Sequence, residues 1–320
     1  MALQFYFGPS GSGKSKRLHQ DVLHMAAKDP DCNFLFLVPD QFTMQTQMDL
    51  VKESPGGGIM NIDVLSFGRL THRIFEETGY GRKPVLDDTG KSLVLRKVAS
   101  SVKENLPVLS GNLNKIGYIH EIKSAISEFK QYGLSVERVG ELAEFSKSRG
   151  TLYYKLKDLK TLYQAFDAYV AERFITTEDT LALLSRAVHE SKIMKNSVVI
   201  FDGFTGFTPT QYDLLEKMMR LCSRVIVTVT TDETGKRGSV FEIADTTMRT
   251  LMQKANQIPI ETNLILVPRE GRKAPYRFAE GGEMAFLERN LFAYPYQKWN
   301  QKTENMWLYI GDKPASEAAY

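Results

Sequence analysis

Short, continuously apolar stretches alternate with longer amphipathic stretches in the first and last thirds of the chain. Six apolar stretches predict strands: residues 3–7, 34–38, 62–65, 198–201, 224–230 and 260–267. They are apolar throughout rather than at every second position, as in a parallel sheet that helices cover on both faces. Five helices are predicted between them: residues 13–28, 41–52, 67–77, 209–221 and 240–255. Asp40 and Ser66 are the expected N-caps of the second and third helix. The pattern predicts an α/β fold.

Residues 84–195 follow a different period, with no strong strand signal. Apolar residues recur there at helical spacing in five segments: 88–105, 112–132, 135–146, 152–173 and 177–191. In the fourth segment Leu156, Tyr163 and Phe166 share one face, and Tyr153 and Tyr154 are expected in the helical core. A block of about a hundred residues is too long for a loop in a compact domain. We therefore predict an all-helical insertion.

Composition narrows the class of protein. Of 320 residues, 42% are hydrophobic and 25% charged, close to a soluble globular average. No apolar run approaches the ~18 residues of a membrane span, and the first residues do not resemble a signal peptide. Cys32 and Cys222 give neither a disulfide framework nor a metal-ligand spacing, and they suit a reducing cytoplasm. The net charge of +3 is too small to indicate a nucleic-acid partner by itself.

A phosphate-binding motif follows the first predicted strand. The segment GPSGSGKS matches G-x-x-x-x-G-K-[ST] at every fixed position, between a strand and a helix. A glycine-rich turn there lets backbone N–H groups approach a phosphate, while Lys14 adds a cation and the Ser15 hydroxyl can ligate Mg²⁺. The predicted nucleotide-binding residues are Gly8, Pro9, Ser10, Gly11, Ser12, Gly13, Lys14 and Ser15. Two alternatives stay open, a turn that matches by chance and a loop that binds nucleotide without turnover.

An acidic residue ends the fourth predicted strand. Asp202 follows four apolar residues and, with Ser15, is the candidate Mg²⁺ site. In most motor ATPases the next residue is a glutamate that polarises the attacking water, whereas here it is Gly203, which cannot act as a base. We therefore assign no catalytic residue. The alternative for Asp202 is an ordinary strand-end acid or helix cap.

These motifs, taken in order, carry a family resemblance. Asp202, Phe204 and Gln211 keep the places of the D-E-F-Q-D motif and its following glutamine in superfamily 1 DNA helicases of the UvrD/RecB type. Residues 64–69, VLSFGR, resemble the family's T-x-H-S-F segment along single-stranded DNA, and residues 36–41, FLVPDQ, stand at another DNA-contacting turn. Over about residues 1–270, the set most closely resembles the N-terminal part of the B subunit of AddAB-type helicase–nucleases.

The resemblance implies a domain organisation. Residues 1–84 and 196–270 would form a RecA-like P-loop NTPase domain, like the first motor domain of these helicases. Residues 85–195 would be its helical insertion, and residues 271–320 the start of a following region. The chain is expected to be one part of a longer polypeptide and not to be active alone.

Cofactors and DNA contacts are implied in the same way. ATP and Mg²⁺ are the expected ligands of the phosphate loop. The implied DNA-binding residues are Gln41, Phe42, Ser66, Phe67 and Arg69. An aromatic ring can stack on a base, while Arg or Ser contacts phosphate. Phe67 could equally pack in the core, and Arg69 with Arg73 could form a solvated helix face.

The implied function is DNA repair. Such a B subunit pairs with an A subunit that carries the working motor, acts on single- and double-stranded DNA, and helps to recognise the Chi hotspot during double-strand break repair by homologous recombination. Its nuclease and cysteine-ligated iron–sulfur cluster belong to a far C-terminal region, and two cysteines cannot hold a cluster alone. The expected location is the cytoplasm, in association with the nucleoid and without a membrane partner. The alternatives are a small-molecule P-loop kinase and an autonomous superfamily 1 helicase.

Overall fold

One six-stranded parallel sheet combines strands that precede residues 84–195 with strands that follow them. The computed structural model describes residues 1–81, 83–231, 238–267 and 276–320. Its strands are β1 (Ala2–Gly8), β2 (Asn33–Leu37), β3 (Ile62–Leu65), β4 (Val85–Leu86), β5 (Ile175–Thr176), β6 (Ser197–Phe201), β7 (Arg224–Thr230) and β8 (Glu261–Leu266). Six of them form the main sheet in the order β3-β2-β6-β7-β1-β8, and every pair is parallel. The six predicted strands and the α/β class are confirmed.

Thirteen α-helices lie within the described residues. They are α1 (Lys14–Lys28), α2 (Thr43–Glu53), α3 (Phe67–Thr78), α4 (Asp88–Ser101), α5 (Ile116–Gln131), α6 (Val136–Phe145), α7 (Thr151–Ala171), α8 (Thr177–Ala187), α9 (Lys192–Lys195), α10 (Pro209–Leu221), α11 (Glu242–Ala255), α12 (Glu283–Asn290) and α13 (Pro314–Ala319). Within the described residues, no helix combines the length and the hydrophobicity of a membrane span.

Helices cover both faces of the main sheet, which explains its continuously apolar strands. In β2, Phe34 and Phe36 pack with α1 and α2, whereas Leu35 and Leu37 face the core shared with α3, α8, α10 and α11. All four side chains are at most 2% exposed. Full burial of such a side chain contributes about 1.5–3 kcal/mol. A strand with a polar residue at every second position would lose that contribution on one face.

The helices α4 to α7, called the helical block below, have a core of their own. Leu95, Ile122, Val139, Leu162 and Phe166 are all at most 4% exposed and belong to one cluster, separate from the two that flank the sheet. Helix α8 differs, because its Leu184 and Ala187 belong to a sheet cluster. The division of the chain into domains stays a prediction, and its third region, 271–320, is described from residue 276 onward.

Some local predictions are confirmed and others are wrong. Ser66 caps α3 as expected, since its side chain accepts a hydrogen bond from Arg69 N at 3.5 Å. Asp40 does not cap α2, because a 3₁₀ turn, Asp40–Phe42, intervenes and makes Phe42 the N-cap. The expectation that Tyr154 is a core residue is wrong, because its side chain is 50% exposed.

The stretch without predicted strands contains two very short ones. Val85 pairs with Ile175 and Leu86 with Thr176, in parallel, in a separate two-stranded sheet. Ile175 N also donates to Pro84 O at 3.0 Å. Two residues are too few to show a periodicity. The pair joins the two ends of the helical block.

Candidate nucleotide and DNA site

The predicted phosphate loop connects β1 to α1 at the carboxyl edge of the sheet. Gly13, the N-cap of α1, has φ 91° and makes no side-chain cap, so the first N–H groups of the helix are left for other acceptors. At Gly8 a Cβ would lie 3.0 Å from Val267 O and 3.2 Å from Ser12 Oγ. Ser12 Oγ is itself buried without a hydrogen-bond partner in the described residues. The N–H groups at the start of α1 are therefore the part of the loop that can bind an anion.

Lys14 is the cation of this loop. Its Nζ donates to Gly8 O at 3.0 Å and to Pro9 O at 2.8 Å. Burial lowers the pKa of Lys14 to about 8, although the charge of Asp202 raises it and that of Arg277 lowers it further. The charge of Asp202 thus offsets the cost of burying the ammonium only in part. A bound phosphate would raise the pKa of Lys14 again and favour its charged form.

Asp202 stands beside the loop, one residue past β6. It is 8% exposed, and its Oδ1 accepts a hydrogen bond from Thr228 Oγ1 of β7 at 2.6 Å. Ser15 in the first turn of α1 lines the same cavity as Asp202. A hydroxyl and a carboxylate are oxygen ligands of the kind Mg²⁺ takes together with nucleotide phosphates. The donor set therefore fits a nucleotide-bound Mg²⁺.

The cavity that these residues share measures about 640 Å³. The phosphate loop and Asp202 contribute polar groups to its lining, and much of the remaining lining is apolar. The apolar lining residues include Phe204, Phe207, Val240, Ile243 and Ala244. Small-molecule sites have roughly this volume and this mixture of apolar walls with a few polar anchors.

Gly203 has a backbone conformation that a glutamate would rarely adopt. Its φ is 77°, and its N–H donates to Thr228 Oγ1 at 3.4 Å. A Cβ there would meet only ordinary contacts, Pro39 Cδ at 3.7 Å and Phe42 Cδ2 at 3.9 Å. The obstacle to a side chain is therefore the left-handed backbone and not a lack of space.

Two further residues of this site, Arg277 and Tyr276, are not predicted from the sequence. Arg277 lines the cavity, and its backbone N–H donates to Gly11 O at 3.3 Å. Tyr276 lies against the loop, with its Cδ2 3.6 Å from where a Cβ on Gly13 would be. Both come after β8, and no sequence signal ties that region to a loop near the start of the chain.

The implied DNA residues lie at the same edge of the sheet, because β2 and β3 are neighbours. Gln41 and the 46% exposed Phe42 form the turn after β2, and Arg69 is exposed on α3. Ser66 is buried and caps α3. Phe67 is half-buried, with its ring 5.9 Å from that of Phe201. Gln41, Phe42 and Arg69 are thus accessible to a ligand, whereas Ser66 and Phe67 lie mostly below the surface.

Arg73 does not share the surroundings of Arg69. It forms an ion pair with Asp63 of β3. From the sequence, these two arginines, four positions apart, could form one solvated helix face. Arg69 makes no such ion pair with the carboxylates that the structure describes, which leaves it the better candidate for a phosphate contact.

Together, these features define an α/β protein with a phosphate-loop motif at the carboxyl edge of a parallel sheet. The family model described as "ADDB, N-terminal" matches residues 5–288, and the chain belongs to this family. The resemblance drawn from the motifs is confirmed.

Curated relatives agree with the family model. The chain is 39% identical to the B subunit of the ATP-dependent helicase/deoxyribonuclease of Lachnoclostridium phytofermentans, over 100% of this chain and 28% of that protein. The proteins of the same name from Acetivibrio thermocellus and Clostridium kluyveri are 30% and 33% identical, over 97% and 100% of this chain and 27% and 28% of theirs. The chain therefore spans little more than a quarter of the length of these relatives.

Proposed function

We propose that the chain is a nucleotide-binding, DNA-handling part of the B subunit of an ATP-dependent helicase/deoxyribonuclease. The name of its relatives supports this class of enzyme, and the same name implies a partner chain. The proposed complex pairs this chain with an A subunit and processes double-strand breaks for homologous recombination. Its proposed location is the cytoplasm, in association with the nucleoid.

The observation that carries the proposal is the partly compensated Lys14 in a cavity it shares with Asp202. In a RecA-like domain, residues 8–15 would hold the phosphates of ATP, with Ser15 and Asp202 on Mg²⁺. The metal would neutralise phosphate charge. The proposal is supported by the lining of one cavity, which includes residues of the phosphate loop, the cation Lys14 and the two oxygen ligands Ser15 and Asp202.

Hydrolysis is proposed to be weak or absent in this site. Gly203 occupies the position where a general base would be expected, and its left-handed backbone disfavours the glutamate that could serve. ATP would then act through occupancy rather than turnover, with the working motor in the A subunit.

DNA is proposed to bind at the same edge of the sheet. The exposed Gln41, Phe42 and Arg69 offer an amide, an aromatic ring and a cation to a single strand. This surface would contribute to recognition of a Chi-like sequence. The nuclease and the iron–sulfur cluster are proposed for parts of the protein outside these residues.

A paired titration tests the proposal. Labelled ATP is titrated with and without Mg²⁺ while hydrolysis is followed in single turnover, and single-stranded DNA is titrated at two salt concentrations. We expect saturable, Mg²⁺-dependent ATP binding with little hydrolysis, and DNA affinity that falls with salt. DNA-stimulated hydrolysis by this chain alone would favour the autonomous helicase. Phosphorylation of a small substrate that Lys14→Ala abolishes would favour the kinase.

A further inference from the structure

The helical block ends in an exposed apolar surface that the proposed site does not use. We define the α6–α7 tip as residues 145–157, from the end of α6 through the first turns of α7. Phe145 is 85% exposed, and Leu142, one turn earlier on α6, is 38% exposed. Leu152 and Tyr154 at the start of α7 are 39% and 50% exposed. Single exposed apolar residues are common, but four around one tip form a patch that indicates an interaction.

The same tip is strongly basic. Its residues include four cations and no Asp or Glu, in a chain whose net charge is only +3. One exposed acid, Glu144, directly precedes the tip and accepts a hydrogen bond from Tyr153 OH at 3.4 Å. The cations are Lys147, Arg149, Lys155 and Lys157, all of them exposed. Among the described carboxylates, none forms an ion pair with these four side chains. Lys157 Nζ donates to Tyr153 OH at 3.3 Å and lies 5.2 Å from the centre of that ring, contacts that do not neutralise its charge. The four positive charges are therefore available to an anionic partner.

The turn that carries these exposed side chains is held by backbone hydrogen bonds. Ser146 is buried, and its N–H donates to Leu142 O at 3.1 Å and Ala143 O at 2.9 Å. Arg149 N in turn donates to Ser146 O at 2.8 Å, which closes the turn between the helices. Val139 and Ala143 on the opposite side of α6 are at most 1% exposed. The backbone that carries the exposed Phe145 is thus already ordered, so a partner would have only the side chain left to order.

We propose that the α6–α7 tip is a second contact for single-stranded DNA, an inference that rests on the proposed DNA-binding function. Phosphates would meet the four cations, and an unpaired base would stack on Phe145. Duplex DNA offers phosphates to such a surface but hides its base faces. A single strand therefore matches both the charge and the exposed ring.

Anisotropy titrations of a fluorescein-labelled thymidine 20-mer at several salt concentrations test this inference. The charge variant is Lys147→Glu with Arg149→Glu, and the stacking variant is Phe145→Ser. The matched control, Arg96→Glu with Lys195→Glu, makes the same change of charge at two exposed positions outside the tip. Circular dichroism melts establish that each variant is folded, and a duplex 20-mer and labelled MgATP are titrated in parallel.

We expect the charge variant to weaken binding of the 20-mer roughly tenfold and to lower the salt slope by about 1.4, since each lost phosphate contact removes about 0.7. Phe145→Ser should weaken single-strand binding about fivefold with an unchanged salt slope and little effect on the duplex. The control variant should stay within about twofold of the wild type.

Three results would overturn the inference. The first is a wild-type protein without single-strand affinity, and the second is a charge variant that behaves like the control. The third is a tip variant that binds DNA normally but no longer co-elutes with a purified A subunit on gel filtration, which would make the tip a protein-docking surface. Failure of the proposed nucleotide site would look different, because the wild type would not bind MgATP while the tip variants still changed DNA affinity.

Discussion

Among the described residues, Lys91 in the helical block and Lys14 in the phosphate loop are both partly or fully removed from water, but their ammonium groups have different partners. In the helical block, Lys91 Nζ lies 2.8 Å from Asp88 Oδ1 and 2.9 Å from Glu178 Oε1. Burial lowers the pKa of Lys91, but the hydrogen bonds and charges of these two acids outweigh it, and the pKa is raised overall. In the phosphate loop, Lys14 donates to two backbone carbonyls and, among the described residues, to no carboxylate, and burial lowers its pKa to about 8.

The difference separates a structural cation from one that is available to a ligand. Lys130 repeats the first pattern, with Asp167 at 2.6 Å and Asp179 at 3.0 Å. A fully paired lysine gains nothing from a further anion, whereas the phosphate loop retains an unused attraction for one. Desolvation disfavours the charged form of both lysines. A paired carboxylate uses the charge within the protein, whereas without such a carboxylate the charge is available to a ligand.

The largest expected effect is a loss of stability when the paired lysine is removed. Lys91→Met leaves Glu178, whose side chain is 6% exposed, without its cation. Such an unpaired buried carboxylate costs about 3–5 kcal/mol. Urea titration gives the change in the free energy of unfolding. The double variant Lys91→Met with Glu178→Leu is the control and should recover at least half of the loss. A loss under about 1 kcal/mol in the single variant would mean that the pair is not a structural one.

Removal of the loop lysine should have the opposite profile. Lys14→Met leaves no paired carboxylate behind in the described residues, so we expect an unchanged melting temperature but roughly a hundredfold weaker MgATP binding. Titration calorimetry measures the affinity, with Lys28→Met at the exposed end of the same helix as the control. Equal affinities for the two variants would contradict a phosphate contact at Lys14.

The pH dependence sharpens the same contrast. A depressed lysine pKa means that the folded protein loses the Lys14 charge as pH rises through about 8. Affinity for MgATP should therefore fall about tenfold between pH 7 and pH 9, because binding requires the ammonium form. Binding at pH 8 should be accompanied by proton uptake, measured in buffers of different ionisation enthalpy. The Lys14→Met variant should give a flat profile, and a flat wild-type profile would rule the mechanism out.

The smallest expected effect concerns Gly203. Gly203→Glu places a side chain on a backbone in the left-handed region, which costs about 1 kcal/mol. We expect no gain of ATP hydrolysis, because the strained backbone does not fix the new carboxylate beside the site. Gly203→Asn is the control, since asparagine tolerates this conformation better. A glutamate variant with measurable turnover would show that the backbone is no obstacle.

Local chemistry made much of the fold predictable. The six strands could be predicted because strands buried on both faces must be apolar throughout. Ser66 could be assigned as a cap because its bond to Arg69 N spans only three positions. Asp202 could be placed beside the phosphate loop because the motif pairs a strand-end acid with Ser15, and both residues line one cavity.

Long-range contacts made the rest unpredictable. Asp158 lies on the buried face of α7, where it accepts hydrogen bonds from Val108 N at 2.9 Å and Leu109 N at 2.8 Å. A charged residue on an apolar helix face gives no hint of partners so far away along the chain. The approach of Tyr276 and Arg277 to the loop is of the same kind. Such contacts depend on how elements pack, which a periodicity does not encode.

The two-residue pairing of β4 with β5 gives the helical block a topological meaning. Because the two strands are parallel, the chain that leaves one must reverse before it re-enters the other, and a connection of this type needs at least about a dozen residues. The helical block is thus a greatly enlarged crossover of a small β-α-β unit. A variant in which one designed helix joins Leu86 to Ile175 would therefore separate the DNA contact proposed for the α6–α7 tip from the one proposed for Gln41, Phe42 and Arg69.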